Sequence, residues 1–328
     1  MKVAVIGCGS IGRRHISNFL KNDCEVIAYN RSNQRRNFVK DKYKIKTFDD
    51  LNKIVKCQPD LAVICSPNKF HLEQSIFFAQ NSVHLFIEKP LCLIDQDLKK
   101  LKSIIKKNKI ITHVGCNLRF NYGILELRKL IKKNIIGKIL NAEFNTGMYL
   151  PDWHPNEDYK KMYSSKKKLG GGVLMDMIHE IDLSIWLFKN PIYIASIIKN
   201  TKTLKINTED FINIIMSYKN NLTVSMNLNY IEKPHRRTIR LIGAKGILDL
   251  DLIKKQLVIC QGNKMKKIKF PKYIDHNNMY MEQNRYVIKQ IIQRKKSINN
   301  VSIAEKTIAL AKKINNNNLS FKLMKKNV

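Results

Sequence analysis

Gly7-Cys8-Gly9-Ser10-Ile11-Gly12 is a GxGxxG run that follows a short apolar stretch, Val3–Ile6, and opens a segment, Ser10–Leu20, with helical periodicity. In that context the first glycine permits a tight turn and the second lets backbone approach a diphosphate. The third lets helix and strand pack closely, while the helix N-terminus adds amide donors and partial positive charge. Gly7, Gly9, Ser10, Ile11 and Gly12 are therefore expected to hold a dinucleotide. The second apolar run ends Ala28-Tyr29-Asn30-Arg31-Ser32. An acid at that tip usually binds a ribose 2′-hydroxyl. None stands here, and Arg31, with the Ser32 hydroxyl and Arg35 or Arg36 nearby, suits a 2′-phosphate. Asn30, Arg31 and Ser32 are expected cofactor contacts, with NADP favoured over NAD.

A second group lies in Asp176-Met177-Ile178-His179-Glu180-Ile181-Asp182. An imidazole titrates near neutral pH without special tuning. The two aspartates stand three residues to either side of His179, a spacing that predicts all three on one helical face. A carboxylate there can orient the imidazole or contact a substrate. A third group is Tyr149-Leu150-Pro151-Asp152-Trp153-His154-Pro155 with Tyr159. Its aromatic faces and hydrogen-bonding tips suit a sugar ring, and they equally suit a structural plug. The seven cysteines are odd in number, form no CxxC pair and sit mostly in apolar contexts, which predicts buried thiols and no metal site.

The elements that must carry these groups follow two rhythms. Up to about residue 118, the apolar runs Val3–Ile6, Val26–Tyr29, Leu61–Cys65, Val83–Ile87 and Ile110–Gly115 alternate with helical segments. That pattern predicts a doubly wound parallel sheet, and open parallel sheets bind ligands at the carboxyl ends of their strands. Beyond Asn117, helices are expected at Tyr122–Lys133 and Gly170–Phe188. From about Ile192 an apolar–polar alternation with turn signals predicts an antiparallel meander, and helical segments follow near Asn277–Gln293 and Ser302–Lys313. The division expected is 1–118 for the dinucleotide and 119–328 for substrate and oligomerisation.

Composition bounds the alternatives. The chain of 328 residues is 44% hydrophobic and 26% charged, which suits two globular domains. No apolar run approaches the roughly 20 residues that span a bilayer. The first apolar stretch is too short for a signal core, so a cytoplasmic protein is expected. The formal charge of +34 comes mostly from lysines spread along the chain among many Asn and Ile residues. Nucleic-acid readers instead concentrate basic residues on one face or element, so no nucleic-acid partner is expected.

Three further segments make the chain resemble the glucose–fructose oxidoreductase/inositol dehydrogenase family, Gfo/Idh/MocA. Ser66-Pro67-Asn68-Lys69-Phe70-His71 is similar to its (S/T)PxxxH loop, Glu88-Lys89-Pro90 to its EKP hallmark, and Gly170 to Asp182 to its glycine-led catalytic helix. Their order and spacing span nearly the whole chain. The resemblance implies a Rossmann domain followed by an α+β domain with a large, mostly antiparallel open sheet that often mediates oligomers, hence a homodimer or homotetramer. It adds Ser66, Pro67, Asn68, His71, Glu88, Lys89 and Asn117 to the cofactor contacts. It assigns acid/base work to Lys89 and His179, with Asp176 as a catalytic partner. Many members space that aspartate and histidine as DxxxH, whereas this chain has DxxH, which leaves Asp176 or Asp182 as the partner of His179. Asn117-Leu118-Arg119-Phe120 resembles the interdomain segment, where Arg119 contacts cofactor or substrate or pins the domains together.

The same residues make chemical sense. Oxidising a secondary alcohol needs hydride transfer to nicotinamide and removal of the hydroxyl proton, so an acid/base must stand beside the cofactor. Lys89, at the carboxyl end of a parallel strand, is in the right place. Lys89, Arg119, Tyr149, Trp153, His154, Tyr159, Asp176 and His179 form the expected substrate set. The aromatic loop with its DxxHEID helix looks like members linked to bacterial surface-sugar pathways, which points to a sugar, sugar acid or nucleotide sugar. The alternatives are a glycosidase of the same fold that retains its nicotinamide, and a non-catalytic dinucleotide or sugar sensor. The intact EKP and His179 argue against the sensor.

Overall fold

The computed structural model describes residues 1–153, 155 and 157–319. The described residues form two compact units, Met1–Asn117 with Asn277–Ile308, and those within Leu118–His276 with the described residues from Ala309 on.

In the first unit β1 (Lys2–Ile6), β2 (Glu25–Tyr29), β3 (Lys46–Phe48), β4 (Leu61–Ile64), β5 (His84–Glu88) and β6 (Thr112–Gly115) make one six-stranded sheet. The spatial order is β3-β2-β1-β4-β5-β6 and every pairing is parallel. Parallel strands are covered on both faces, which is why β4 reads Leu-Ala-Val-Ile and is buried throughout. The crossovers are α1 (Ser10–Leu20), α2 (Asn33–Tyr43), α3 (Leu51–Lys56), α4 (His71–Gln80) and α5 (Lys99–Lys107). The strand order reverses between β1 and β4, which opens a crevice at the carboxyl ends of the strands. The lone three-residue β3 has too little apolar sequence to announce itself.

The second unit begins with α6 (Tyr122–Lys132) and β7 (Ile139–Gly147), then α7 (Val173–Asp176) and α8 (Ile178–Phe188). Strands β8 (Tyr193–Lys199), β9 (Phe211–Ser217), β10 (Thr223–Asn229), β11 (Arg236–Gly243), β12 (Gly246–Asp251), β13 (Gln256–Gln261) and β14 (Lys264–Lys269) complete an eight-stranded sheet with β7. Its order is β14-β13-β12-β11-β7-β10-β9-β8, antiparallel except where β7 and β10 run side by side. Strict alternation sends Ala142, Phe144, Val224, Met226, Ile212, Ile214, Ile239 and Leu241 into the buried face. Glu143, Asn145, Ser225, Asn227, Asn213 and Ile215 lie on the opposite, open face.

Helix α9 (Asn278–Ile292) and the first part of α10 (Val301–Asn316) belong to the first unit, although they follow the meander in sequence. Val287 and Ile291 of α9 share the core of Val3, Val5, Phe19 and Val63, so burying that apolar face decides where the segment goes. One expectation needs correction. The segment Gly170–Phe188 is two helices, because Met177 (φ −95°, ψ 27°) interrupts the run and α8 starts afresh at Ile178. Asp176 and His179 therefore lie on different helices, and a shared helical face no longer relates them.

Candidate active site

The glycine turn ends β1. The Gly7 amide donates to the Tyr29 carbonyl at 2.8 Å, and Gly7 adopts φ +111° with room for no side chain, since a Cβ would stand 2.7 Å from the Cys65 carbonyl oxygen. A Cβ on Gly12 would collide with the Gly7 carbonyl. Around Gly9, by contrast, the nearest atom to a Cβ position is the Arg35 guanidinium at 4.0 Å, so the turn is open on that side. Ser10 and Ile11 begin α1, whose N-cap Gly9 has no capping side chain and whose first turn carries no acid. The N-terminal amides of α1 are thus left for an anion, and the residues present fit a dinucleotide diphosphate.

The tip of β2 is built from local hydrogen bonds. Asn30 Oδ1 accepts the Ser32 amide at 2.9 Å, and Ser32 Oγ accepts the Arg35 amide as the N-cap of α2. Arg36 donates to the carbonyls of Asn30 at 2.7 Å and Arg31 at 2.9 Å, so its guanidinium braces the loop. The Arg31 guanidinium lies 5.2 Å from the Phe70 ring centroid. Burial pushes the Cys8 thiol up to about 11, while Arg35, Arg13 and Arg36 pull it the other way. Those three positive charges therefore act on the glycine turn.

Along the same carboxyl edge, Ser66 Oγ donates to Gln74 Oε1 at 2.7 Å, and Pro67 leads into a turn, Asn68–Phe70, with Asn68 buried. His71 is buried with Nδ1 2.7 Å from the Pro90 carbonyl and Nε2 2.9 Å from the Ser66 carbonyl. Its ring ties the loop after β4 to the loop after β5, and burial lowers its pKa. Glu88 points inward, its Oε1 2.7 Å from His15 Nε2, while Oε2 accepts the Lys89 amide at 3.2 Å. Lys89, half-buried, follows at the tip of β5, and the Lys89–Pro90 bond is cis. Asn117, buried, opens the turn after β6.

In the second unit both Asp176 oxygens accept phenol hydroxyls, Oδ1 from Tyr163 at 2.7 Å and Oδ2 from Tyr230 at 2.6 Å. Glu209 packs its carboxyl over Gly172 (φ +122°), where any Cβ would meet it, and its Oε1 accepts the Leu174 amide at 3.3 Å. Burial, with the Asp176 charge adding to it, pushes the Glu209 carboxyl up to about 7. His179 stands near the start of α8 and is mostly buried. The neighbouring Glu180 accepts from Thr146 Oγ1 at 2.8 Å and from Arg237 Nη2 at 2.7 Å. Arg119 makes a bidentate pair with Asp182, both contacts at 2.7 Å and both side chains buried, so these two residues join within one unit. The Arg119 guanidinium also lies 5.4 Å from the Trp186 ring centroid.

Of the aromatic loop, Trp153 meets the Tyr230 ring edge-on at 5.3 Å, and the Tyr159 hydroxyl donates to the Leu204 carbonyl at 3.1 Å. Tyr149 carries the Lys233 ammonium 3.9 Å from its ring centroid. His154 lies outside the described residues. Sequence reasoning missed Tyr163, Tyr230 and Glu209 around Asp176, and His15 behind Glu88. None sits in a motif. Only the triple glycine hinted that something must press against that turn.

A model of the oxidoreductase family with NAD-binding Rossmann fold matches residues 1–116, and one of the GFO/IDH/MocA C-terminal domain matches residues 124–249. The myo-inositol 2-dehydrogenase of Thermotoga maritima is 25% identical over 305 residues, covering 89% of this chain and 88% of that protein. The glucose-6-phosphate 3-dehydrogenase of Bacillus subtilis is 24% identical over 241 residues, covering 69% of this chain and 66% of that protein. A levoglucosan dehydrogenase solved with NADH and levoglucosan shares the fold, with TM-score 0.87 at 15% identity and 97% and 96% of the two chains covered. No helix among the described residues is long and apolar enough to cross a membrane.

Proposed function

This chain belongs to the Gfo/Idh/MocA oxidoreductase family, with an NAD-binding Rossmann fold, and from that premise we propose reversible oxidation of a secondary hydroxyl on a sugar, sugar acid or nucleotide sugar. The observation that carries this reading is the carboxyl edge of the parallel sheet, where the uncapped α1 N-terminus, Asn68, Lys89 and Asn117 all stand at strand ends. The relatives' names supply the substrate class, since they act on inositol and a sugar phosphate. A bound nicotinamide supplies the hydride acceptor. The chain's part is to bind the diphosphate at Gly7, Gly9, Ser10, Ile11 and Gly12, and to move the hydroxyl proton through Lys89 and His179. Residues 1–118 form the cofactor side and 119–328 the substrate side, with Asn277–Ile308 built onto the former.

Asp176 acts as a fixed acceptor that holds Tyr163 and Tyr230, and Trp153 extends that aromatic wall for a sugar ring. Asp182 and Arg119 brace α8 from behind. The arginines around the β2 tip favour NADP, with Arg35 and Arg31 as the contacts for a 2′-phosphate and Arg36 as their brace. The open face of the eight-stranded sheet exposes Tyr193 (73%), Ile215 (58%) and Ile197 (37%), which supports a homodimer or homotetramer through that face. The buried thiols of Cys8, Cys24, Cys65 and Cys92, none in a disulfide, support a cytoplasmic setting.

The test is turnover of purified protein with NAD or NADP and a panel of myo-inositol, levoglucosan, glucose 6-phosphate and UDP-N-acetylglucosamine, followed by reduced-nicotinamide absorbance. Net reduction is expected, and Lys89→Ala and His179→Ala should each lower kcat about 10²–10⁴-fold. Glycoside cleavage without net reduction, or full activity in both variants, would overturn the reading.

A further inference from the structure

His15 and Glu88 form a buried pair that the oxidation scheme above does not use. His15 is wholly buried on α1, less than one turn past Gly12, and Glu88 is buried at the end of β5. Their contact is 2.7 Å, walled by the Phe86 ring at 4.8 Å and the Phe19 ring at 6.1 Å. His15 Nδ1 has no hydrogen-bond partner among the described residues, so the network assigns the proton to Nε2, which donates to Glu88. The other Glu88 oxygen accepts the Lys89 amide at 3.2 Å, immediately after the last β5–β6 pair, Glu88 opposite Gly115. Gly115 leaves the space that the inward-turned Glu88 occupies, since a Cβ there would stand 2.9 Å from Glu88 Oε1.

A continuous chain of hydrogen bonds thus runs from α1, which begins at the diphosphate turn, through His15 and Glu88 to the backbone of Lys89. A carboxylate in an apolar interior is retained only with donors, and a buried ion or hydrogen-bonded group is costly to leave unmade. We infer that His15 and Glu88 are positioning residues that hold the Lys89 backbone in register with the diphosphate-binding helix, so that the dinucleotide-binding turn and the proton-handling tip of β5 move as one piece. This inference rests on the role of Lys89 stated above for its consequence in catalysis, though not for its consequence in binding.

Isothermal titration of the intact chain with NADH, NADPH and ADP-ribose tests the coupling without a known substrate. ADP-ribose would occupy the diphosphate turn, and it lacks the nicotinamide that Lys89 would serve. In His15→Leu and in Gly115→Ala, the preference for the better dinucleotide over ADP-ribose should fall at least fivefold, while ADP-ribose affinity stays within threefold of the starting value. His15→Gln, whose amide can donate from near the Nε2 position, should restore the preference. An unchanged preference in His15→Leu overturns the inference. So does equal loss of dinucleotide and ADP-ribose affinity, or no rescue by Gln, because each marks simple packing. If a substrate of the panel is turned over, kcat should fall with the binding preference while KM for that substrate holds. Full activity in Lys89→Ala would instead sink the role of Lys89 and leave the coupling measured by titration standing.

Discussion

The glycine turn of the first unit and the Asp176 cluster of the second are built in opposite ways. In the turn every functional group comes from six consecutive residues, and the geometry follows from backbone alone: Gly7 at φ +111°, Gly12 against the Gly7 carbonyl, α1 uncapped at Gly9. Around Asp176 the partners come from three separated places, Tyr163 in a loop, Glu209 before β9 and Tyr230 after β10. A local backbone site can be recognised as a string, whereas a site assembled from side chains of distant strands exists only once the sheet has formed. The first tolerates changes in side chains around it and fails on one methyl group; the second should fail by losing a partner.

The largest effect that sharpens this contrast lies in the buried pair behind α8. Arg119→Leu takes the bidentate guanidinium away from the buried Asp182 carboxylate and should cost about 3–5 kcal/mol in chemical denaturation. Adding Asp182→Leu should recover most of that. If Arg119→Leu left stability intact and only weakened a sugar, Arg119 would be a substrate contact after all.

Glu209 comes next. Its carboxyl rises from 4.5 to about 7 in the folded chain, so the native state holds that proton more tightly than the unfolded state does. The stabilisation it gives is complete below the unfolded value and is lost as pH climbs through the folded one. Over that window the chain should lose about 3 kcal/mol of unfolding free energy relative to Glu209→Gln, at about 1.4 kcal/mol per pKa unit. Parallel pH profiles for the two proteins would place the Glu209 carboxyl in solvent instead.

Gly12→Ala attacks the other site by overpacking, with an expected penalty of about 1–3 kcal/mol that should appear in dinucleotide affinity, measured by titration with NADPH. The Asp176 cluster should be untouched, as read by an unchanged tyrosine near-ultraviolet signal. The smallest effect concerns cofactor choice. Arg35→Ala should weaken NADPH by about tenfold, in line with about 1.5 kcal/mol for a charge-assisted hydrogen bond, and leave NADH nearly unchanged. Equal loss for both dinucleotides would remove the 2′-phosphate assignment.

Much of the fold was legible because its signals are local. Near-continuous apolar runs separated by amphipathic helices announced the parallel sheet, and period-two alternation announced the meander. The parallel pairing of β7 with β10 was not legible, since which strands become neighbours is decided by burying both apolar faces together rather than by any single run. The placement of Asn277–Ile308 was hidden for the same reason. The periodicity of α9 showed a face to bury, and only the core beside Val3 and Phe19 showed where.

The sequence by itself determined a dinucleotide turn, a lysine at the tip of a parallel strand and a histidine in the helical segment after a triple glycine, because each depends on backbone conformation and neighbours within a few residues. The tertiary structure alone decided what their carboxylates do. Asp176, Asp182 and Glu88 were all candidates for catalysis or binding by position. Folding gave each buried charge a donor, from Tyr163 and Tyr230, from Arg119 and from His15, since a carboxylate leaves water only when other groups replace its hydration.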